Sequence, residues 1–106
     1  VEVMASMSVL KYSPGKKPVT VRVEATIKAM SKCVGGHIEV SPAWRDYLLV
    51  YAEDGQRRQL PPNRMVPVDN VPIMTFGDFF FCKSSYDDDM IGLTKDDIEA
   101  LQYRFA

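Results

Sequence analysis

Histidine and cysteine are scarce in this chain: among its 106 residues, His37 is the one histidine and Cys33 and Cys82 are the two cysteines. Metal sites recruit several His and Cys ligands at short spacings, so neither a structural nor a catalytic zinc is expected. The two thiols lie far apart in sequence in apolar settings, which reads as free thiols in a reducing cytoplasm. No apolar run approaches the roughly 18 residues that a bilayer crossing needs. Val1 to Met7 lacks a basic segment followed by an apolar one, so it does not read as a signal peptide. There is no Gly-x-Ser-x-Gly elbow and no Walker-type phosphate loop. Asp87-Asp88-Asp89 lacks the alternating spacing of a calcium loop and reads as a solvated acidic loop. Cys33 and His37 are four apart, but Gly35-Gly36 breaks any helix that would align them as a nucleophile and base. No catalytic residue, metal ligand or cofactor is assigned, and the expectation is a protein that is not an enzyme.

What is present makes a small domain with a modest core, 46% hydrophobic and with a net charge of -1. Charge is uneven: residues 1–64 carry ten Lys or Arg against six Asp or Glu, and residues 65–106 carry three against eight. Such a dipolar surface can steer an anionic ligand to one side.

The chain reads as strand, strand, helix, several strands and a final helix. Met7–Tyr12 is a first strand, ended by the basic turn Ser13–Pro18. Val19, Val21 and Val23 alternate with polar residues at period two, a half-buried second strand. Ile27, Met30 and Val34 mark one face of a short helix, with Thr26 as N-cap and Gly35 as its left-handed stop. His37–Val40 is a short strand, followed by a loop over Ser41–Asp46. Tyr47–Ala52 is the most hydrophobic strand. The Asp54-Gly55 pair after it predicts a type I′ hairpin with a return strand at Arg57–Leu60, which Pro61-Pro62 ends. Met65–Pro72 is expected to be irregular. Ile73–Cys82 recovers strand character, interrupted at Gly77-Asp78 by a bulge or turn. Phe79-Phe80-Phe81 is dense enough to require burial on both faces. Thr94 caps a last helix whose buried stripe is Ile98, Leu101 and Phe105. The fold class is therefore α+β: a small, mostly antiparallel sheet with two short helices packed on it, covering one face. Residues 7–106 are read as one domain. Residues 1–6 are read as a flexible extension or expression remnant, with Met7 a candidate initiator.

For anion binding the candidates are Asn63 and Arg64, held on the stiff Pro61-Pro62 tether, with Arg57, Arg58, Lys16 and Lys17. A guanidinium suits bidentate recognition of phosphate or carboxylate. The alternative is that Asn63 forms the turn and Arg64 pairs with an acid of the 65–106 half. Trp44, Tyr47 and Tyr51 are candidate stacking platforms for a base, although Tyr47 and Tyr51 share a face with Leu49, a pattern that also fits core. The near-neutral charge argues against a large nucleic-acid footprint.

Several segments together resemble the domain-of-unknown-function family DUF3846, small proteins of phages and bacterial mobile elements. They are the Pro14-Gly15-Lys16 loop, the helix ending in Val34-Gly35-Gly36, Ile38-Glu39-Val40, the acidic-Gly segment at Asp54-Gly55 and Leu60-Pro61-Pro62-Asn63-Arg64. An aromatic strand after Gly77 and Leu93-Thr94-Lys95-Asp96-Asp97-Ile98 complete the match, which runs from about Met7 to Phe105. Where the family usually reads Gly-Thr ahead of the aromatic strand, this chain has Gly77-Asp78. The resemblance implies a phage or mobile-element setting in a bacterial cytoplasm and carries no established activity. In that setting the expectation is a non-enzymatic accessory protein that sequesters a host defence protein or a small anionic nucleotide signal. The alternative is a DNA-associated regulatory or replication accessory protein. An edge strand in so small a domain also makes a homodimer an expectation.

Overall fold

Phe79, Phe80 and Phe81 occupy the central strand of the sheet, and all three are fully buried. The computed structural model describes residues 6–68, 70–87 and 89–105. In chain order the elements are β1 (Ser6–Tyr12), β2 (Val19–Glu24), α1 (Ile27–Val34), β3 (Ile38–Trp44), β4 (Tyr47–Ala52), β5 (Pro62–Val68), β6 (Val71–Phe76), β7 (Phe79–Ser84), β8 (Met90–Ile91) and α2 (Lys95–Arg104). The main sheet runs β2-β1-β7-β4-β3, with β8 paired to β7, and β5 and β6 form a separate two-stranded ribbon. Every pairing is antiparallel, so the class is α+β. Residues 1–5 of the expected extension, Asp69 of the stretch read as irregular and Asp88 of the acidic loop lie outside the described residues. No helix among the described residues is long and apolar enough to cross a membrane.

Because side chains alternate across a strand, the phenylalanine run divides between two cores. Phe80 and Cys82 pack with Met7, Val9, Val23, Val50 and Ala52 beneath Met30 and Val34 of α1. Phe79 and Phe81 face the other way, with Leu10, Tyr12, Tyr47 and Leu49, beneath Leu101 of α2 and Val66 of the ribbon. The helices therefore cover opposite faces rather than one. The reason is β7 itself: buried on both sides, it needs a cover on each, and each fully buried Phe contributes about 1.5–3 kcal/mol.

The helix ends follow their local signals. Thr26 accepts the Ala29 N–H at 3.1 Å, and Gly35, at φ 81°, ends α1 with its N–H on the Ser31 carbonyl. Thr94 and Asp97 form a reciprocal capping box at the start of α2. Ile27 departs from its expected role: it is 73% exposed at the first helical position, although its spacing puts it on the same face as the buried Met30 and Val34.

The turns between 41 and 77 differ more. The tight two-residue hairpin is Arg45-Asp46, between Trp44 and Tyr47, with Arg45 at φ 52°. Ser41–Trp44, expected as loop, belongs to β3, which carries a bulge between Pro42 and Trp44. Asp54-Gly55 makes no type I′ turn, since neither residue has positive φ. Both edges of β4 are occupied by β3 and β7, which leaves no place for a return strand. Residues 53–59 instead coil into consecutive turns, with the Arg58 N–H on Asp54 O and the Leu60 N–H on Gly55 O. Pro61-Pro62 does not end a pairing either. Pro62 opens β5 opposite Phe76, and Pro67 faces Pro72, because each ribbon strand has only one neighbour and a missing N–H is tolerated at an edge. The expected strand 73–82 is two strands in two sheets, separated at Gly77 (φ 77°), where a Cβ would approach Leu60 Cδ1 to 2.8 Å.

Candidate functional site

The residues singled out in the sequence do not form one site. Asn63 and Arg64 are fastened into the fold. The Asn63 amide donates to the carbonyls of Tyr12 (3.1 Å) and Gly77 (2.8 Å), tying the end of β1 to the β6–β7 turn. The Arg64 guanidinium donates to Ser13 O, Asn63 Oδ1 and Lys16 O, and lies 4.9 Å over the Tyr12 ring. Arg64 therefore binds backbone carbonyls of the basic turn rather than an acid of the second half. Tyr12 in turn stacks on Phe79 and donates its hydroxyl to the Leu101 and Phe105 carbonyls. Burial pushes that hydroxyl up to about 12, against the opposing pull of Arg64.

Arg57 and Arg58 sit elsewhere, around the buried carboxylate of Asp54. Arg58 Nε donates to it at 2.6 Å, the His37 N–H at 3.1 Å, and Arg57 lies at 3.8 Å. The Arg58 hydrogen bond outweighs burial and, with that of His37, holds Asp54 below the usual carboxylate range. His37 is thus joined to Asp54, and no hydrogen bond links it to Cys33 among the described residues.

Trp44 and Tyr47 stack on one another, 5.7 Å between centroids, at the far end of β3–β4, and Tyr51 lies half-buried against the ribbon side. Tyr47 is 6% exposed and donates to Asp97 Oδ1 at 2.7 Å, so its ring is core and not a platform. Arg45 and Arg104 lie over the Trp44 ring at 4.3 and 5.7 Å.

Asp97 is held by three hydrogen bonds. It accepts from the Thr94 N–H, the Tyr47 hydroxyl and Lys83 Nζ while capping α2. Burial pushes its carboxyl up, but these hydrogen bonds together bring it down to about 2 from 3.8. Burial first, then the bond to Asp97, raises Tyr47 to about 12. With the folded pKa below the unfolded one, the ionised form stabilises the fold above about pH 4. That contribution is lost as pH falls from about 4 toward 2. We expect Asp97→Asn to cost about 1–2 kcal/mol at pH 7 and the gap to wild type to close by pH 2, read from urea midpoints across that range.

An open groove of about 610 Å³ lies between β2 and α1. Val21, Val23, Ala29 and Cys33 make its apolar floor, and Lys28 and Lys32, one helical turn apart, stand along the α1 rim. Lys11 closes one side and is paired with Asp78 at 3.3 Å. Neither Lys28 nor Lys32 has an acidic partner among the described residues. Arg22 also borders the groove, but its guanidinium is taken by Ser6 and Ser8. A smaller hollow of about 240 Å³ shares Lys32 and Cys33 and reaches Leu60, Pro61 and Gly77. Burial raises the Cys33 thiol, which lines the groove beside Ala29. Sequence reasoning missed this groove. Its one local signal, lysines four apart on a helix, equally describes a solvated face. Among the described residues no group of three or more His, Cys, Asp or Glu could hold a metal ion.

The family model described as Domain of unknown function (DUF3846) matches residues 7–106. The chain belongs to this family. The matched span includes Leu60–Arg64, whose Asn63 and Arg64 clasp β1, the basic turn and the β6–β7 turn together. Comparisons with curated proteins and with solved structures each returned no match.

Proposed function

We propose that the protein is a non-enzymatic accessory protein that binds and sequesters an anionic partner in the groove between β2 and α1. The observation that carries this reading is the pair Lys28 and Lys32, two cations without ionic partners among the described residues, above an apolar floor and with Glu24 the one acid in the lining. The arginines of the sequence-based site are, by contrast, largely engaged within the fold: Arg64 on backbone carbonyls, Arg57 and Arg58 on Asp54. An unneutralised pair beside apolar surface favours a ligand bearing both negative charge and hydrophobic area. In the phage or mobile-element setting that the sequence resemblance implies, that partner is a host defence protein or a small anionic nucleotide signal, and holding it counteracts bacterial immunity. The net charge of -1 does not favour the DNA-associated alternative.

Native mass spectrometry of the protein recovered from host cells tests this. Wild type is expected to carry a bound partner, and Lys28→Glu/Lys32→Glu, folded with an unchanged circular dichroism spectrum, is expected to lose it. Wild type at its bare mass, or a partner retained by the double variant, contradicts the proposal.

A further inference from the structure

The two edges of the main sheet are built differently. β3 is interrupted by Pro42 and by the bulge between Pro42 and Trp44, devices that blunt an edge against further pairing. β2 has neither: it pairs with β1 without a break from Val19↔Lys11 to Glu24↔Ser6. Every second residue of its six therefore directs backbone N–H and C=O away from β1. The groove runs along this open edge, for its lining takes in four successive β2 residues, Val21 to Glu24, and not only those of one face. An edge strand beside a helix with a groove between them is the geometry in which an extended peptide adds as a further strand.

From this we infer that the partner enters as an extended acidic peptide segment, hydrogen-bonded to the free edge of β2 and covered by α1. The inference rests on the proposed anion-binding role of the same groove and names the partner's class. β2 is about 20 Å long at the usual rise, room for roughly six peptide residues. Side chains of an added strand alternate, so those on the α1 side meet Val21, Val23 and Ala29 below and Lys28 and Lys32 above. That environment selects glutamate at alternate positions, its methylenes against the apolar floor and its carboxylates at the lysines. A second copy is the poorer occupant: antiparallel pairing of β2 with β2 about a two-fold axis puts both α1 helices on one face, lysines toward lysines.

The test uses the full chain and four probes: an alternating Glu-Val peptide about eight residues long, the same peptide N-methylated at alternate residues in each of the two registers, and inorganic tripolyphosphate. The Glu-Val peptide is expected to bind, to protect β2 amides from hydrogen exchange and to lose affinity about tenfold or more on Lys28→Glu/Lys32→Glu. One of the two N-methylation registers is expected to weaken it by about tenfold or more, since N-methylation removes the pairing N–H groups and leaves charge intact. Equal binding of both N-methylated registers and the parent overturns strand addition. Binding of tripolyphosphate at Lys28 and Lys32 without the peptide overturns this inference and leaves the anion-binding reading standing. No binding of any probe removes both.

Discussion

Phe81→Ala is expected to cost about 3–5 kcal/mol, a large share of the about 5–15 kcal/mol available to a small domain. The ring is fully buried, stacks on Phe105 at 4.8 Å and meets the edges of Tyr12 and Phe79 at 5.6 and 5.7 Å. Its removal leaves a cavity under α2 and deletes three aromatic contacts at once, each of which adds to area burial. The loss should also be visible locally. Phe105 is the C-cap of α2, and the Tyr12 hydroxyl binds the last carbonyls of that helix. Amides of Ile98–Arg104 are therefore expected to exchange faster in the variant than those of α1, which packs on the opposite face. A loss below about 1 kcal/mol in urea unfolding, or equal loosening of both helices, would contradict the two-core description.

Asn63→Leu is expected to cost about 2–4 kcal/mol. Leucine matches asparagine roughly in shape but removes both donors, stranding the Tyr12 and Gly77 carbonyls where they are partly shielded from water. It also removes the Oδ1 acceptor that orients Arg64 at 2.8 Å. The effect separates two roles for the Leu60–Arg64 segment. As a clasp, Asn63→Leu lowers the thermal midpoint while leaving groove binding at temperatures below it intact. A variant of unchanged stability that lost its ligand would instead mark this loop as the binding site.

The comparison of sequence with structure divides along the range of the interactions. Thr26, Gly35 and Thr94 were legible because a helix end is satisfied by groups within four residues of it. The Val19, Val21, Val23 alternation and the phenylalanine run were legible because burial imposes its period directly on the chain. The Asp54-Gly55 turn misled because a hairpin also needs a free strand edge, and β3 and β7 already occupy both edges of β4. Asp54 was committed instead to Arg58 and the His37 N–H, which local turn chemistry cannot reveal. The two-residue turn at Arg45-Asp46 was hidden because it has no glycine; Arg45 itself takes the left-handed conformation.

The site was less legible than the fold for the same reason. Stiffness at Pro61-Pro62 and the polarity of Asn63 and Arg64 marked a segment held in one geometry, and it is held that way by donating to the Tyr12, Ser13, Lys16 and Gly77 carbonyls. Lys28 and Lys32 acquire meaning only when α1 is laid beside β2 and neither is found in an ion pair among the described residues, although Glu24 also lines the groove. Periodicity gives which face of a helix is polar; it does not say what that face overlooks.

The claim that the β2–α1 groove is the binding surface is tested most directly by amide chemical-shift mapping during titration with an anionic probe, tripolyphosphate. Shifts concentrated in Val21–Glu24 and Lys28–Cys33, and absent from Lys28→Glu/Lys32→Glu, are the predicted result. Shifts concentrated instead at Asn63 and Arg64, at Arg57 and Arg58, or around Trp44, with the groove silent, would contradict it.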